Sequence, residues 1–535
     1  MNWLLEPFFG GKVRRETGRY LQQLERLPVE SSRRATQRFL EGLRRQKDPK
    51  VTLGVTEWKE EVTIPLVDLI GSHGLVTGGT GSGKSFFALL ILKALIEGES
   101  RGQAMGFGVI DAKGDLFQGA LYLLGQRLQE LARQNPKAAR ELRRRVVIYD
   151  FSSSDPVSSY NILARWPNTE PDFFAFNRAD LLLDLLAGSD KLSLGSISLL
   201  RKLILLLSEF DLPITYLTDI LDDDSLRTRL LSRSRQTAVR QYFVRQFPSV
   251  PKSTIAALYR RMEALFSSEG VRLALSGKTA PDFCRFQEQG RIVLINCFSE
   301  NIARSVRHLL QGLILSDIRQ AVFARRHKEN PFLWFCDEAQ NFFLTEKLRD
   351  NMADLLTMSR SFGSFFLYLT QNMGTAVQDA RVLRILHTNI RWAFAMRGEP
   401  TDCAFLKPAL PITGRKLRQQ TDPFEPKRFH SISEERSMML DAITHLPDRV
   451  GWLWFKYLSS EVVKITTQHL AMPQAEDLSA AIHSIRRDRT IGRRLSRKQY
   501  EGGMAERDGQ WREPETDSLS GRLEQAYERT RGKSL

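Results

Sequence analysis

The sequence predicts an α/β protein built on a mostly parallel sheet with helices on both faces, carrying an all-α insertion and flanked by helical, basic termini. Three observations carry this prediction. From Leu75 onward, apolar runs rich in β-branched and aromatic residues alternate with stretches at helical spacing. A glycine-rich loop follows the first of these runs, HGLVTG (73–78), and opens directly into the apolar stretch KSFFALLILKAL. Between 151 and 291 the β character disappears and only helical spacing is left.

The elements follow in chain order. Residues 1–50 read as two charged helices, 14–27 and 31–46, with 12 basic against 6 acidic residues over the segment. VTLGVT and EVTIPL then read as short strands leading into the glycine loop. Strands are predicted at 73–78, 106–112, 145–151, 291–297, 331–338, 365–371 and 391–397. Most are continuous apolar runs, the pattern of strands buried on both faces of a parallel sheet. Helices fill the gaps at 84–97, 114–133, 302–325 and 345–360. ADLLLDLLAG, SISLLRKLILLLSEF and TIAALYRRMEALF place apolar residues at helical spacing within the insertion. The expected organisation is a basic helical segment (1–50), a first nucleotide-binding part (51–165), an all-α insertion (166–288), a second nucleotide-binding part (289–473) and a charged, flexible tail (474–535). Within the tail, 485–498 holds seven basic residues and one acidic, and would set Arg486, Arg489, Arg493 and Arg497 close to one face of a helix.

Composition narrows the function classes. Over 535 residues, Lys and Arg outnumber Asp and Glu by 78 to 62, a net charge of +16. That excess suits a polyanionic partner such as nucleic acid or an anionic membrane surface, with a plain solvated basic surface as the alternative. Cysteines stand at 284, 297, 336 and 403 with no C-x-x-C spacing, which reads as ordinary core residues in a reducing compartment. No run of about eighteen uncharged apolar residues occurs, and MNWLLEPFFGGKVRR has no signal-peptide pattern. A cytoplasmic protein is expected, peripheral to a membrane only through a partner.

The motif chemistry is specific. Gly78, Gly79, Thr80, Gly81, Ser82, Gly83, Lys84 and Ser85 fit G-x-x-x-x-G-K-[ST] between a strand and a helix, with Phe86 as the next residue of the site. Glycines let backbone N–H groups curl around a β-phosphate, and the helix N-terminus adds its dipole. Lys84 would bridge the β- and γ-phosphates of ATP, and the Ser85 hydroxyl would ligate Mg²⁺. FLWFCDEAQNF then supplies an acidic pair at a strand end. Asp337 would hold the Mg²⁺ shell, and Glu338 would polarise the attacking water. FFLYLTQN ends a buried strand on Thr370 and Gln371; Gln371 either senses the γ-phosphate or caps a turn. Arg360 in MSRSFGS is the first candidate for an arginine finger, with Arg391 as its rival and a plain surface arginine as the alternative for each.

This set of motifs resembles the HerA/FtsK class of P-loop motors, whose nucleotide domain is RecA-like. GVIDAKGDLF (108–117) resembles the DPKGE segment of TraG/TraD-like coupling proteins of type IV secretion and conjugation, and VVIYDFSSSDPVSSYNIL (146–163) resembles that family's S-x-x-(W/Y)-N-P-L segment. Ala112 and Ile162 stand where the family usually has proline. The resemblance covers about 60–472 and lacks the family's N-terminal transmembrane hairpin. It implies an ATPase that forms a ring, usually a hexamer, with ATP between subunits and DNA in the channel. The implied role is DNA translocation in conjugative transfer, mobile-element or related DNA processing, with a relaxase, nuclease or membrane-tethering protein as partner. A type IV secretion-type ATPase remodelling protein, or an ATP-gated scaffold, would share the nucleotide motifs.

Overall fold

The computed structural model describes residues 6–44, 50–100, 103–166, 169–187, 194–373, 379–416, 418, 428–471, 475–489, 491–492 and 494–512. Among these residues thirteen strands are formed: β1 (Lys50–Thr56), β2 (Glu61–Pro65), β3 (Gly74–Thr77), a two-residue hairpin β4 (Glu99–Ser100) and β5 (Gln103–Ala104), β6 (Gly106–Asp111), β7 (Val146–Asp150), β8 (Ile292–Asn296), β9 (Phe332–Cys336), β10 (Ser364–Thr370), β11 (Trp392–Met396), β12 (Val450–Phe455) and β13 (Val463–Thr467). Eleven of them make one sheet in the order β2-β1-β13-β12-β11-β3-β10-β9-β6-β8-β7. From β11 to β7 every pairing is parallel, and from β11 to β2 every pairing is antiparallel. All seven predicted strands of the nucleotide-binding parts are present and almost wholly buried. The fold is the mixed α/β class that the alternating pattern predicts.

The chain divides into two compact units, Met1–Ser152 with Asp282–Arg493, and Ser153–Pro281 with the segment that begins at Arg494. The first unit holds the sheet. Its helix Lys84–Glu97 buries Phe87, Leu89, Leu90, Ile91, Leu92, Leu95 and Ile96, apolar on nearly all sides, as a helix enclosed by protein must be. The second unit is helical throughout its named elements and buries Leu199, Leu203, Ile204, Leu207, Leu217, Leu258 and Met262.

Three differences from the sequence reading have physical causes. The two charged helices expected at 14–27 and 31–46 are one helix, Glu6–Arg44. The stretch 27–29, LPV, lies within it, because a proline inside a helix need not end it. The tail expected from 474 onward contains the helices Ala475–Arg487 and Arg497–Arg512, pinned by buried Ile482, Ile491, Tyr500 and Trp511. Its arginines do not share one helical face, because the first helix ends at Arg487. Arg486 instead donates from Nε to the buried Asp150 carboxylate at 2.7 Å, and Arg497 pairs with Glu269 and Glu501 at 2.7 Å each. Arg493 lies outside the described residues.

The parallel strands are packed through paired small and large residues. Gly74 of β3 faces Trp392 of β11, and Gly108 of β6 faces Trp334 of β9. A Cβ at Gly108 would lie 2.2 Å from the Trp334 ring, and one at Gly74 would lie 2.4 Å from the Trp392 ring. Both indoles are fully buried. Gly108→Ala therefore overpacks the sheet and should lower stability by about 1–3 kcal/mol in denaturant unfolding. Adding Trp334→Leu should recover part of that loss; two losses that simply add would show that the ring is not what the glycine accommodates.

Candidate phosphate-binding site

The glycine loop leaves the C-terminal end of β3, the central strand. Gly78 N–H donates to Thr370 O at 3.2 Å and Gly79 N–H donates to Arg397 O at 2.6 Å, so the loop is tied to the ends of β10 and β11 on either side. Gly81 and Gly83 have φ of 76° and 107°, backbone that a side chain rarely adopts, and Gly83 leads into the helix that begins at Lys84. The Ser82 hydroxyl donates to Gly79 O at 2.8 Å. Lys84 is buried, and its Nζ donates to Gly78 O at 2.6 Å and Gly79 O at 2.9 Å. Burial, and then the Lys113 ammonium, lower its pKa to about 8 against the opposing pull of Glu338 and Asp337. Ser85 lies one residue further along the helix, and Phe86 turns a largely exposed ring outward.

The acidic pair arrives two strands away. Asp337 and Glu338 follow β9, with β10 between that strand and β3. Asp337 is buried and hydrogen-bonds the carboxyl of Asp111, the fully buried last residue of β6. Asp111 also accepts from the backbone N–H groups of Lys113, Gly114 and Phe117 at 2.7, 2.8 and 2.7 Å. Burial pushes both carboxyls up, and their mutual proximity makes a shared proton the favoured state. Glu338 has left-handed backbone, φ 49°, a strained geometry for a residue with a side chain. Lys113 forms an ion pair with its carboxylate, and Gln340 donates to it as well.

Gln371 joins the two halves of the site. Its Oε1 accepts from Thr80 Oγ1 at 2.9 Å and its Nε2 donates to Glu338 Oε1 at 2.5 Å. Thr370 Oγ1 in turn donates to Gln340 Oε1 at 2.9 Å. The geometry is that of a link between loop and acid.

The two arginine-finger candidates are not brought to this edge. Arg360 sits in the turn Ser359–Phe362 before β10, and Arg391 immediately before β11. Both therefore lie at the N-terminal edge of the parallel strands, opposite the loop. They line one cavity of about 430 Å³ together with the buried His73, whose pKa falls to about 4 through burial and through Arg360.

Two other arginines do flank the loop. A Cβ on Gly81 would lie 4.0 Å from the Arg397 guanidinium, which pairs with Asp448 at 2.7 Å. Arg449 N–H donates to Ser82 O at 2.9 Å, and its Cγ would lie 3.3 Å from a Cβ on Gly83. Arg397 was within reach of sequence reasoning, because it ends the run RWAFAMR just as Gln371 follows FFLYLT. Asp111 and Lys113 lay in the quoted GVIDAKGDLF, where a strand ending on an acid was the available signal.

Among the described residues no cluster of three or more His, Cys, Asp or Glu side chains is arranged to hold a metal by itself. Among the oxygens at this edge, those of Ser85, Asp337 and Asp111 would suit a hard cation such as Mg²⁺. No helix among these residues is long and apolar enough to cross a membrane.

With this geometry in view, the comparisons with known proteins fall into place. Residues 52–296 match the family described as "Helicase HerA, central domain". Over those residues the chain is similar to the central domain of HerA, in line with the HerA/FtsK-class resemblance of its motifs. A bacterial conjugative coupling protein, TrwBdeltaN70, solved in complex with sulphate, is 15% identical at a TM-score of 0.50, over 83% of this chain and 94% of that one. The plasmid coupling protein TrwB in complex with ADP and Mg²⁺ is 15% identical at 0.48, over 82% and 93%. VirB4 of Thermoanaerobacter pseudethanolicus is 12% identical at 0.47, over 79% and 98%. At 15% identity the first of these likenesses speaks for a shared fold. None of the curated proteins compared matches the chain.

Lys84 gives the site a pH dependence. Its ammonium is complete below pH 8 and is lost as pH rises through that value. A phosphate anion beside it favours the charged form, so binding takes up a proton above pH 8. The affinity for Mg–nucleotide should accordingly fall between pH 8 and 9.5, by up to about tenfold per unit. Fluorescent-nucleotide titration checks this, and Lys84→Arg should flatten the profile because arginine stays charged.

Proposed function

We propose that the chain is an ATP-hydrolysing motor acting on DNA, of the kind used in conjugative transfer, mobile-element or related DNA processing. The observation that carries the reading is the bonded path Thr80–Gln371–Glu338, which links a phosphate loop to an acid. Such a path gives the state of the nucleotide a route to the water-activating group.

In this reading the backbone of Gly78–Gly83 and the Lys84 ammonium bind the phosphates. Ser85 and Asp337, with Asp111 behind it, would hold the Mg²⁺ of Mg–ATP, which when bound would supply positive charge against that developing on the transferred phosphoryl group. Glu338 orients the attacking water and takes its proton, and Gln371 senses the γ-phosphate. Arg397 and Arg449 stand beside the loop of their own subunit. Arg360 and Arg391, remote from it, would serve as arginine fingers only by reaching a neighbour's nucleotide in a homo-oligomeric ring, a hexamer by analogy with the class. The excess of basic residues provides the sequence-independent attraction to a nucleic-acid backbone.

Two measurements test this. Glu338→Gln should bind ATP normally and lose turnover by roughly 10²–10⁴-fold; turnover near wild type would dismiss Glu338 as the base. The steady-state ATPase rate should rise with duplex or single-stranded DNA and the effect should weaken at higher salt. A rate indifferent to both DNAs would favour a protein substrate, and very slow turnover indifferent to DNA would favour a nucleotide-gated scaffold.

A further inference from the structure

Beside Glu338 lies a cavity of about 210 Å³ that no residue of the phosphate loop lines. Lys113, Arg304, Arg307, His308 and Gln311 line it together with Glu338. Its wall is the first turns of the helix Arg304–Ala324, which starts at Ala303 with no side-chain cap and no acid in its first turn. The first backbone N–H groups of that helix are thus left for another acceptor.

Gln311 supplies an independent sign of a ligand. The residue is fully buried, its Oε1 accepts from Asn341 Nδ2 at 3.0 Å, and its Nε2 has no hydrogen-bond partner among the described residues. A buried amide N–H₂ without a partner costs free energy unless an acceptor meets it. Around it stand three permanent cations, Lys113, Arg304 and Arg307, against the single carboxylate of Glu338, itself already paired with Lys113. Arg307 is steadied by stacking over Phe298 at 5.1 Å. Burial and the two arginines keep His308 below its usual pKa, so it offers a neutral ring that donates from one nitrogen.

We infer that this cavity binds inorganic phosphate, as a station for the product released at Glu338. The inference rests on the ATPase reading for its source of phosphate. The volume accepts one tetrahedral oxyanion with a few waters, at about 30 Å³ per water. Glu338 belongs both to the path from Thr80 and to the cavity wall, so phosphate cleaved on one side of it reaches cations on the other. Lys113 is positioned to leave Glu338 for the arriving anion, which frees the carboxylate for the next cycle.

The test is a calorimetric titration of inorganic phosphate into full-length protein saturated with Mg–ADP, repeated on Lys84→Ala without nucleotide. Both should show one phosphate site. Arg304→Gln with Arg307→Gln should weaken it at least tenfold, and Gln311→Leu severalfold, while ADP affinity stays within twofold and certifies folding. Failure of both wild-type and Lys84→Ala protein to take up phosphate overturns the inference, as does unchanged phosphate affinity in the variants. If the arginine variant instead loses DNA affinity and keeps phosphate binding, the anion recognised is a strand phosphate and the inference also fails. The titration involves no turnover, so a protein that hydrolyses no ATP would defeat the functional proposal and leave this result separately readable.

Discussion

The placement of β10 between β3 and β9 governs the rest of the site. With one strand interposed, the loop strand and the acid strand stand about 9–10 Å apart, two strand spacings. That spacing sets Lys84 and Glu338 on either side of the end of β10. The register makes the ends level. Thr370 pairs with Thr77, and Tyr368 pairs with both Leu75 and Cys336, so the acids after Cys336 emerge beside the end of β10. A glutamine at that end is long enough to touch Thr80 on one side and Glu338 on the other. An alanine or serine there would leave the two halves unconnected.

Such a site concentrates unfavourable terms that the surrounding core must offset. Asp111 and Asp337 lose hydration and repel each other, Lys84 is held in a conformation that discourages its charge, and Glu338 keeps left-handed backbone. Each costs free energy in isolation. They persist because β6, β9 and β10 are buried along their whole length and the helix after the loop is enclosed on nearly every side. The three backbone N–H groups on Asp111 show the same principle locally. They fix the carboxyl in place through three donors from the turn that follows β6.

What the sequence disclosed follows from how locally each feature is determined. The parallel strands were legible because burial on both faces demands an unbroken apolar run, and the loop was legible because its glycines answer to backbone geometry. The antiparallel extension was legible as strands, VTLGVT and EVTIPL, but not as a sheet. Its pairing of β1 with β13 joins residues some 400 positions apart, and Gly54 against Thr467 is no signal by itself. The C-terminal helices escaped because charge dominates their composition while four widely spaced apolar residues anchor them. Lys113 escaped because its role depends on Glu338, which a different strand delivers.

The charge of the chain also reads differently once its arginines are located. Net charge suggested a uniformly basic surface, yet several guanidinium groups are committed inside the units. Arg325 is nearly fully buried and donates to the carbonyls of Gly363, His327 and Asn330. Arg145 donates to Met105 O and Gly290 O, and Arg178 lies buried over Trp166 and Phe174. These groups stabilise turns and strand ends, and they cannot meet a phosphate without unfolding their surroundings. The salt dependence of binding counts only phosphate contacts that displace counterions, with a slope of about −0.9 per contact on duplex DNA. A measured slope is therefore set by the exposed cations alone. It bears on the placement of charge in a way that the total of +16 never does.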